Sequence, residues 1–470
     1  MRNFPIIVGG KEIFKEEKLD VIYPYNNEKI HSVSLADEED IKKAIDLAKV
    51  GFEKTKKIST YQRAKILKTV KEKIEAEKED LAKLIVFEAG KPLSQARAEV
   101  DRCIFTFSIA EEEAKRIYGE IIPLDLAPWC EGKEGYIKRF PRGVLLAITP
   151  FNFPLNLVAH KIAPAIAVGV PFILKPSSKT PVISYKLLKF VLEAGYPEEA
   201  INYLPMKSEK AKILIENPDV KIISFTGSSE VGWQIKKLAH NKQVTLELGG
   251  NAGVIVHSDA DLDLASKKCA QGGFYYSGQS CISVQRIIVQ EEIYEIFKEK
   301  LIEEVNKLKV GNPEEDDIFI GPIIDQDSLV RIESWVEEAK KGGAKVLIGG
   351  KREGNFYLPT IIEEPKRDMK VWCEEVFAPL VVLKKYNSFD EAIDIINDTK
   401  FGLQAALFTN DYKLIDKAFT EVEVGGLVVN DSSSFRADHQ PYGGVKKSGF
   451  GREGLRWAIE EMTELKILIK

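Results

Sequence analysis

The chain is poor in the residues that build metal centres and disulfide frameworks. It has 470 residues but only 5 histidines and 5 cysteines, and Cys103, Cys130, Cys269, Cys281 and Cys373 stand singly with no C-x-x-C pair. That pattern argues against a zinc site and predicts reduced thiols with no bound metal. No apolar run approaches the length of a membrane span, and the opening MRNFPIIVGGKEIF is too short and too interrupted for a secretory signal. A cytoplasmic protein without a membrane partner is expected. Strong charge is also missing: a formal net charge of −5, with 30% charged residues, provides no field that would gather nucleic acid or acidic lipid. Internal repeats and low-complexity linkers are absent as well. What the chain does have is length and 44% hydrophobic residues, more than one core usually serves, so two or more domains are expected.

The first third reads mostly as helix. DEEDIKKAIDLAKVGFEK places Ile41, Ala44, Ile45 and Ala48 on one face, with Asp37 and Asp40 suited to its N-terminal end. A second helical pattern starts near Thr60, and a third follows the breaker Gly90-Lys91-Pro92. From residue 143 the short apolar runs GVLLAI, VPFILK, VKIISF, VTLEL and GVIV alternate with helix-length stretches, and the alternation resumes after residue 280. This predicts an α/β protein with two open parallel-sheet lobes meeting near ELGGNAG.

Ligands in open parallel sheets bind at the carboxyl ends of the strands, so the residues that leave each strand matter. One strand exits into TPFNFP around Asn152, the next into LKPSSKTP with Lys175 at its end, another into FTGSSEVGWQ, and another into LELGG with Glu247. Gly227 between a strand and a helix can offer N–H groups to a phosphate. Trp233, however, stands where a P-loop needs its lysine, and the string is not G-x-G-x-x-G, so an ATPase reading fails. Taken singly, Asn152 reads as a turn residue, Lys175 and Glu247 as solvated charges, and Cys281 as core filling. Together they make an oxyanion donor, a cofactor cradle, a base and, 34 residues after Glu247, a nucleophile.

The strings TPFNFP, KPSSKTP, FTGSSEVG, LELGGN, GQSCISVQR, EEVFAP, FGLQAALFT and PYGGVKKSGFGREG, in that order over nearly the whole chain, resemble the aldehyde dehydrogenase superfamily. The resemblance implies two Rossmann-like lobes plus a small β element for oligomerisation. Their expected extents are 1–119 and 141–248 for coenzyme binding, 249–445 for catalysis, and 120–140 with 446–470 for a homodimer or homotetramer contact. By the same resemblance Cys281 is the nucleophile, Glu247 the base that activates water, and Asn152 the side-chain donor to the oxyanion. A thiolate adds to the aldehyde, the thiohemiacetal gives a hydride to NAD or NADP, and the thioester is hydrolysed. The coenzyme contacts implied are Thr149, Pro150, Phe151, Lys175, Ser178, Gly227, Ser228, Leu248, Glu375 and Phe377.

Substrate contacts are expected from Arg436, Arg102, Phe153 and Ser280. Arg436 lies in a loop that, by resemblance, lines the aldehyde entrance. Arg102 reads equally well as a surface ion pair. The nearest likeness is to lactaldehyde dehydrogenase-like members and to non-phosphorylating glyceraldehyde-3-phosphate dehydrogenases, although Ser280 stands where the latter usually carry arginine. A short hydroxylated or anionic aldehyde such as lactaldehyde is therefore expected, with glyceraldehyde 3-phosphate and succinic semialdehyde as alternatives. Ser178, with Lys179 beside it and no acid in KPSSKT, predicts that the 2′-phosphate of NADP is accepted. Two other classes stand against this reading. A cysteine hydrolase would need a histidine partner for Cys281, and an inert scaffold should have lost Cys281 or Glu247.

Overall fold

Apolar runs too short for helices become buried strands where intervening helices carry the chain back across the sheet. The computed structural model describes residues 2–470. In the first lobe, β1 (Ile6–Val8), β2 (Lys11–Ile13), β3 (Val144–Ile148), β4 (Phe172–Lys175), β5 (Ile201–Tyr203), β6 (Val220–Thr226) and β7 (Gln243–Glu247) lie in the order β7-β6-β3-β4-β5-β1-β2. Strands β7 to β5 run parallel, and β1 and β2 add an antiparallel edge. Every residue of β3 is buried, and successive side chains serve opposite faces. Val144, Leu146 and Ile148 meet α1 (Glu38–Thr55) through Ile41, Ala44, Ile45 and Ala48. Leu145 and Ala147 meet the other layer, built from α2 (Thr60–Ala76), α3 (Lys78–Ala89), α4 (Leu93–Ala114), α5 (Asn156–Val168) and α6 (Pro181–Glu193). A reciprocal capping box between Asp37 and Asp40 starts α1 where the acidic pattern placed it.

The chain builds β3, β4 and β5 to one side, then crosses to lay β6 and β7 on the other side of β3. This switch point leaves a crevice beyond the carboxyl ends of β3 and β6. The second lobe repeats the architecture: β8 (Ala252–Val256), β9 (Val284–Gln290), β10 (Lys345–Ile348), β11 (Thr360–Glu363), β12 (Leu380–Tyr386), β13 (Gln404–Phe408) and β14 (Gly426–Val429) lie in the order β10-β11-β12-β9-β8-β13-β14. All neighbours are parallel except β10 with β11. The passage from one sheet to the other is Leu248–Asn251, the glycine cluster noted in the sequence.

The strands Glu120–Pro123 and Glu134–Pro141 form a hairpin apart from both lobes. The C-terminal segment 446–470, expected to join that hairpin, divides instead. Its short β15 (Gly449–Phe450) pairs antiparallel with β7, and Leu455, Ile459 and Met462 complete the first lobe's core. Only β16 (Thr463–Ile469) adds to the hairpin. Apolar residues at helical spacing between 455 and 462 pull that stretch into the core. Among the described residues, no helix is long and apolar enough to cross a membrane.

Candidate active site

A cleft of about 1890 Å³ runs between the lobes, and every site residue singled out from the sequence borders it. Thr149–Phe153 leave β3, Lys175 ends β4, Gly227 and Ser228 follow β6, and Glu247 and Leu248 leave β7. Glu375, Phe377 and Arg436 enter from loops of the second lobe, and Arg102 and Phe153 close the far wall.

Cys281 sits in a tight loop before β9. Tyr276, Ser277 and Gly278 have φ of 48°, 54° and 68°, and a Cβ on Gly278 would collide with the Ala378 carbonyl. Gly250 is equally constrained, since a Cβ there would strike the Cys281 carbonyl. Gln279 pins the loop by accepting from Ile324 N at 3.0 Å, and its own carbonyl accepts from Asn152 Nδ2 at 3.1 Å. The buried Asn152 amide is therefore fixed beside the cysteine loop with one N–H still free. Burial pushes the Cys281 thiol up to about 11, opposed by a hydrogen bond between Sγ and Tyr442 Oη at 3.2 Å.

Glu247 is buried with both carboxyl oxygens unpaired. Burial, reinforced by nearby Glu453, raises its pKa well above the ordinary carboxyl range, against the pull of Arg436, Lys161 and Arg452. Behind it, Glu453 accepts from Lys161 Nζ at 2.8 Å and from Arg436 Nη2 at 3.3 Å. Burial disfavours the Glu453 carboxylate, yet these cations hold its pKa down at about 2. The Arg436 guanidinium also lies 3.6 Å from the centre of the Tyr442 ring. Arg102 makes a two-pronged pair with Asp438, at 3.0 Å through Nε and 2.7 Å through Nη2, rather than pairing with its neighbour Asp101. Asp438 also accepts from Asn156 and bonds to His160 Nε2 at 2.8 Å. His160 is thus a buried histidine held by Asp438, and no histidine borders the cleft. Among the described residues, the histidine partner that a cysteine hydrolase would need is not at this cleft.

The other half of the cleft suits a dinucleotide. Gly227 N donates to the Glu247 carbonyl at 3.0 Å, and Ser228 caps helix α7 (Ser229–Leu238), presenting a helix N-terminus to the cleft. Gly232 lets α7 close onto Leu248, because a Cβ there would overlap the leucine. The Lys175 amine makes no hydrogen bond or ion pair with another described residue, and burial lowers its pKa. Glu375 accepts from Gly250 N at 2.9 Å, and burial lifts it to about 7. Phe377 is held at φ 53°, its ring edge-on to Phe151 at 5.9 Å. A free half-buried amine, a carboxyl and a glycine-bounded helix terminus are the donors and acceptors that ribose hydroxyls and a pyrophosphate need. Lys179 does not join them: its ammonium pairs with Asp325 at 2.9 Å, so the positive charge expected there is spent.

Tyr442, Glu453, Lys161 and Asp438 were not singled out from the sequence. Tyr442 and Glu453 lie in the quoted PYGG and GREG strings, but nothing in their spacing says that residue 442 reaches residue 281. Lys161 lies inside an apolar helix and carries no outward signal.

A thiol, a free amide N–H and an unpaired carboxyl border a cleft whose other half suits a dinucleotide, an arrangement that fits a cysteine-dependent oxidoreductase. The aldehyde dehydrogenase family pattern matches residues 13–468, and the chain belongs to that family, enzymes that oxidise aldehydes with NAD or NADP. It is 44% identical to a 3-sulfolactaldehyde dehydrogenase of Priestia megaterium, over 100% of this chain and 98% of that one. Aldehyde dehydrogenase 21 of Physcomitrella patens, solved with the reaction product succinate, is 42% identical, with a TM-score of 0.97 over 100% of this chain and 98% of that one. The glyceraldehyde-3-phosphate dehydrogenase GapN of Methanocaldococcus jannaschii, solved with NADP, is also 42% identical, with a TM-score of 0.94 over 97% of this chain and 100% of that one.

Proposed function

We propose that this enzyme oxidises a short aldehyde bearing an anionic or hydroxyl group to the corresponding acid. Cys281 adds to the aldehyde carbon, the free N–H of Asn152 meets the oxygen that becomes negative, and Glu247 takes a proton from the water that releases the acid. The convergence of these three groups, with the second Asn152 N–H and both Glu247 oxygens lacking partners among the described residues, carries the reading. Bound NAD(P)+ supplies the hydride acceptor. A carboxyl lifted well above its ordinary range is a stronger base toward water once ionised, which suits Glu247 to the second half of the reaction. Lys175, Ser178 and Glu375 hold the coenzyme, with Gly227 and Ser228 under its pyrophosphate.

Two features support the substrate class. Arg102 and Arg436 border the cleft where an aldehyde's far end would lie. The substrates or product named for the three relatives above carry a sulfonate, a carboxylate and a phosphate. NADP is accepted, because Ser177, Ser178, Lys175 and Lys212 border the coenzyme end and the carboxylates on that side of the cleft, Glu209 and Glu230, are both exposed to solvent. The five free cysteines suit the reducing cytoplasm.

The test is a kinetic panel of 3-sulfolactaldehyde, lactaldehyde, glyceraldehyde 3-phosphate, succinic semialdehyde and propanal, each with NAD and NADP. At least one functionalised aldehyde should exceed propanal in kcat/KM by tenfold or more, and propanal as the best substrate would reject the class. Cys281→Ala should abolish oxidation while coenzyme still binds. Glu247→Gln should retain a first-turnover burst followed by slow acyl-enzyme release; normal steady turnover would show the base to be misassigned.

A further inference from the structure

Tyr442 borders the cleft beside Cys281, yet the reaction as described leaves its hydroxyl without a task. The Oη atom stands 3.2 Å from Cys281 Sγ, and the residue is buried. Its backbone is locked to Glu453 in both directions, Tyr442 N donating to the Glu453 carbonyl at 3.0 Å and Glu453 N to the Tyr442 carbonyl at 2.7 Å. Glu453 in turn holds Arg436, whose guanidinium lies over the Tyr442 ring. One bridge therefore fixes the phenol, the cation behind it and the carboxylate that anchors the cation.

We infer that Tyr442 is a catalytic residue: its O–H donates to the Cys281 sulfur and stabilises the thiolate that attacks the aldehyde, with Arg436 as the positioning cation behind its ring. This rests on Cys281 being the nucleophile. Once the sulfur has lost its proton to solvent it can only accept, so the phenol must be the donor, and a hydrogen bond to an anion is stronger than one to a thiol. The phenol keeps its proton throughout the working range, because burial raises its pKa well above the ordinary value. The other charged groups facing Cys281 pull in opposite directions: Glu375 and Glu247 oppose the thiolate and Arg436 favours it, with Lys161 and Glu453 behind. Tyr442 is the hydrogen-bond donor that touches the sulfur itself. In the step it assists, the sulfur lone pair forms the S–C bond and the C=O π pair moves to oxygen, with no oxidant consumed.

The experiment follows alkylation of Cys281 by iodoacetamide against pH, with Cys281→Ala as the blank for the other thiols. Tyr442→Phe, which removes one oxygen and keeps the ring under Arg436, should raise the alkylation midpoint by about one pH unit, so that alkylation below it slows by about tenfold. The pH limb of kcat/KM should move in parallel. Coenzyme binding by fluorescence reports that the variant is folded. A midpoint coincident with the parent's overturns the inference. If the variant does not fold, parent enzyme grown with 3-fluorotyrosine carries a more acidic phenol and should show a lowered midpoint; an unchanged or raised one overturns it equally. Oxidation retained by Cys281→Ala would instead overturn the reading on which the inference stands.

Discussion

Arg102 and Arg436 both border the aldehyde end of the cleft, but the structure gives them different freedom. The Arg436 side chain is 6% exposed, paired with Glu453 and stacked on Tyr442, whereas Arg102 is 31% exposed and spends Nε and Nη2 on Asp438. Its Nη1 makes no hydrogen bond with another described residue, and Arg102 borders the cleft with its Cζ 5.6 Å from the centre of the Phe153 ring. Asp438 is itself fixed by Asn156 and His160, so the Arg102 fork is held in one orientation before any ligand arrives. A sulfonate, phosphate or carboxylate reaching that edge gains a charge-assisted hydrogen bond, of the order of 1.5 to 3 kcal/mol. Arg102→Ala should therefore lower the ratio of kcat/KM for the best anionic aldehyde over propanal by about 10- to 100-fold. Parallel losses on both substrates would remove Arg102 from recognition and leave it a structural partner of Asp438. Local sequence could not decide this, because the partner lies 336 positions away and the nearer acid, Asp101, turns instead to Lys78.

Helices and strands place these residues through caps that span the first lobe. Glu99 in α4 accepts from Leu155 N at 2.9 Å and Asn156 N at 3.2 Å, fixing the start of α5 just after the Asn152 turn. Glu88 in α3 accepts from Val182 N at 2.7 Å and Ile183 N at 2.8 Å, doing the same for α6. Burial pushes Glu88 up to about 8 in spite of those two N–H groups. The folded chain thus holds a proton that the unfolded chain releases near the ordinary carboxyl value of 4.5. The stability linked to that proton is fully present below 4.5 and is lost as pH rises through about 8. Glu88→Gln, which has no proton to lose, should gain on the parent in denaturation midpoint between pH 5 and pH 9, and a constant gap would reject the assignment. Such caps explain which elements could be read in advance. Runs such as GVLLAI and VKIISF declare buried strands by composition alone. The sheet of Arg2–Phe4, Lys18–Ile22 and Lys29–Ser34 mixes charged and apolar residues and draws its order from pairing, and α3 is parted from α2 by the single residue Glu77. The cleft-facing residues were legible because strand ends converge by topology; the Tyr442–Cys281 contact was not, because only the closed fold brings the two together.

At the scale of the whole molecule, the hairpin and β16 remain without a core of their own. Strand β16 is exposed from Glu464 onward, and Leu465, Ile467 and Ile469 share one face of this sheet with Ile137 and Ile122. The exposures are 61%, 44% and 57% for the three β16 residues, too much apolar area on one narrow sheet to be indifferent to water. Leu126 and Trp129 at the hairpin tip are 84% and 88% exposed. Strand β16 also has a free edge, since it pairs only with Glu134–Pro141. An open edge bearing aliphatic side chains invites pairing with another chain unless something covers it. Negative net charge is too small to prevent that, at −5 spread over 470 residues. A second copy of the same sheet supplies both a matching apolar face and a matching edge, and a two-fold arrangement closes the assembly. Light scattering should therefore find a homodimer or homotetramer at micromolar concentration. The pair Leu465→Glu and Ile467→Glu puts two carboxylates on the apolar face without touching the cleft or the first lobe's core, so it should shift the mass toward monomer and leave coenzyme binding measurable. A parent that scatters as a monomer would reject the assignment, as would an unshifted mass for the double variant.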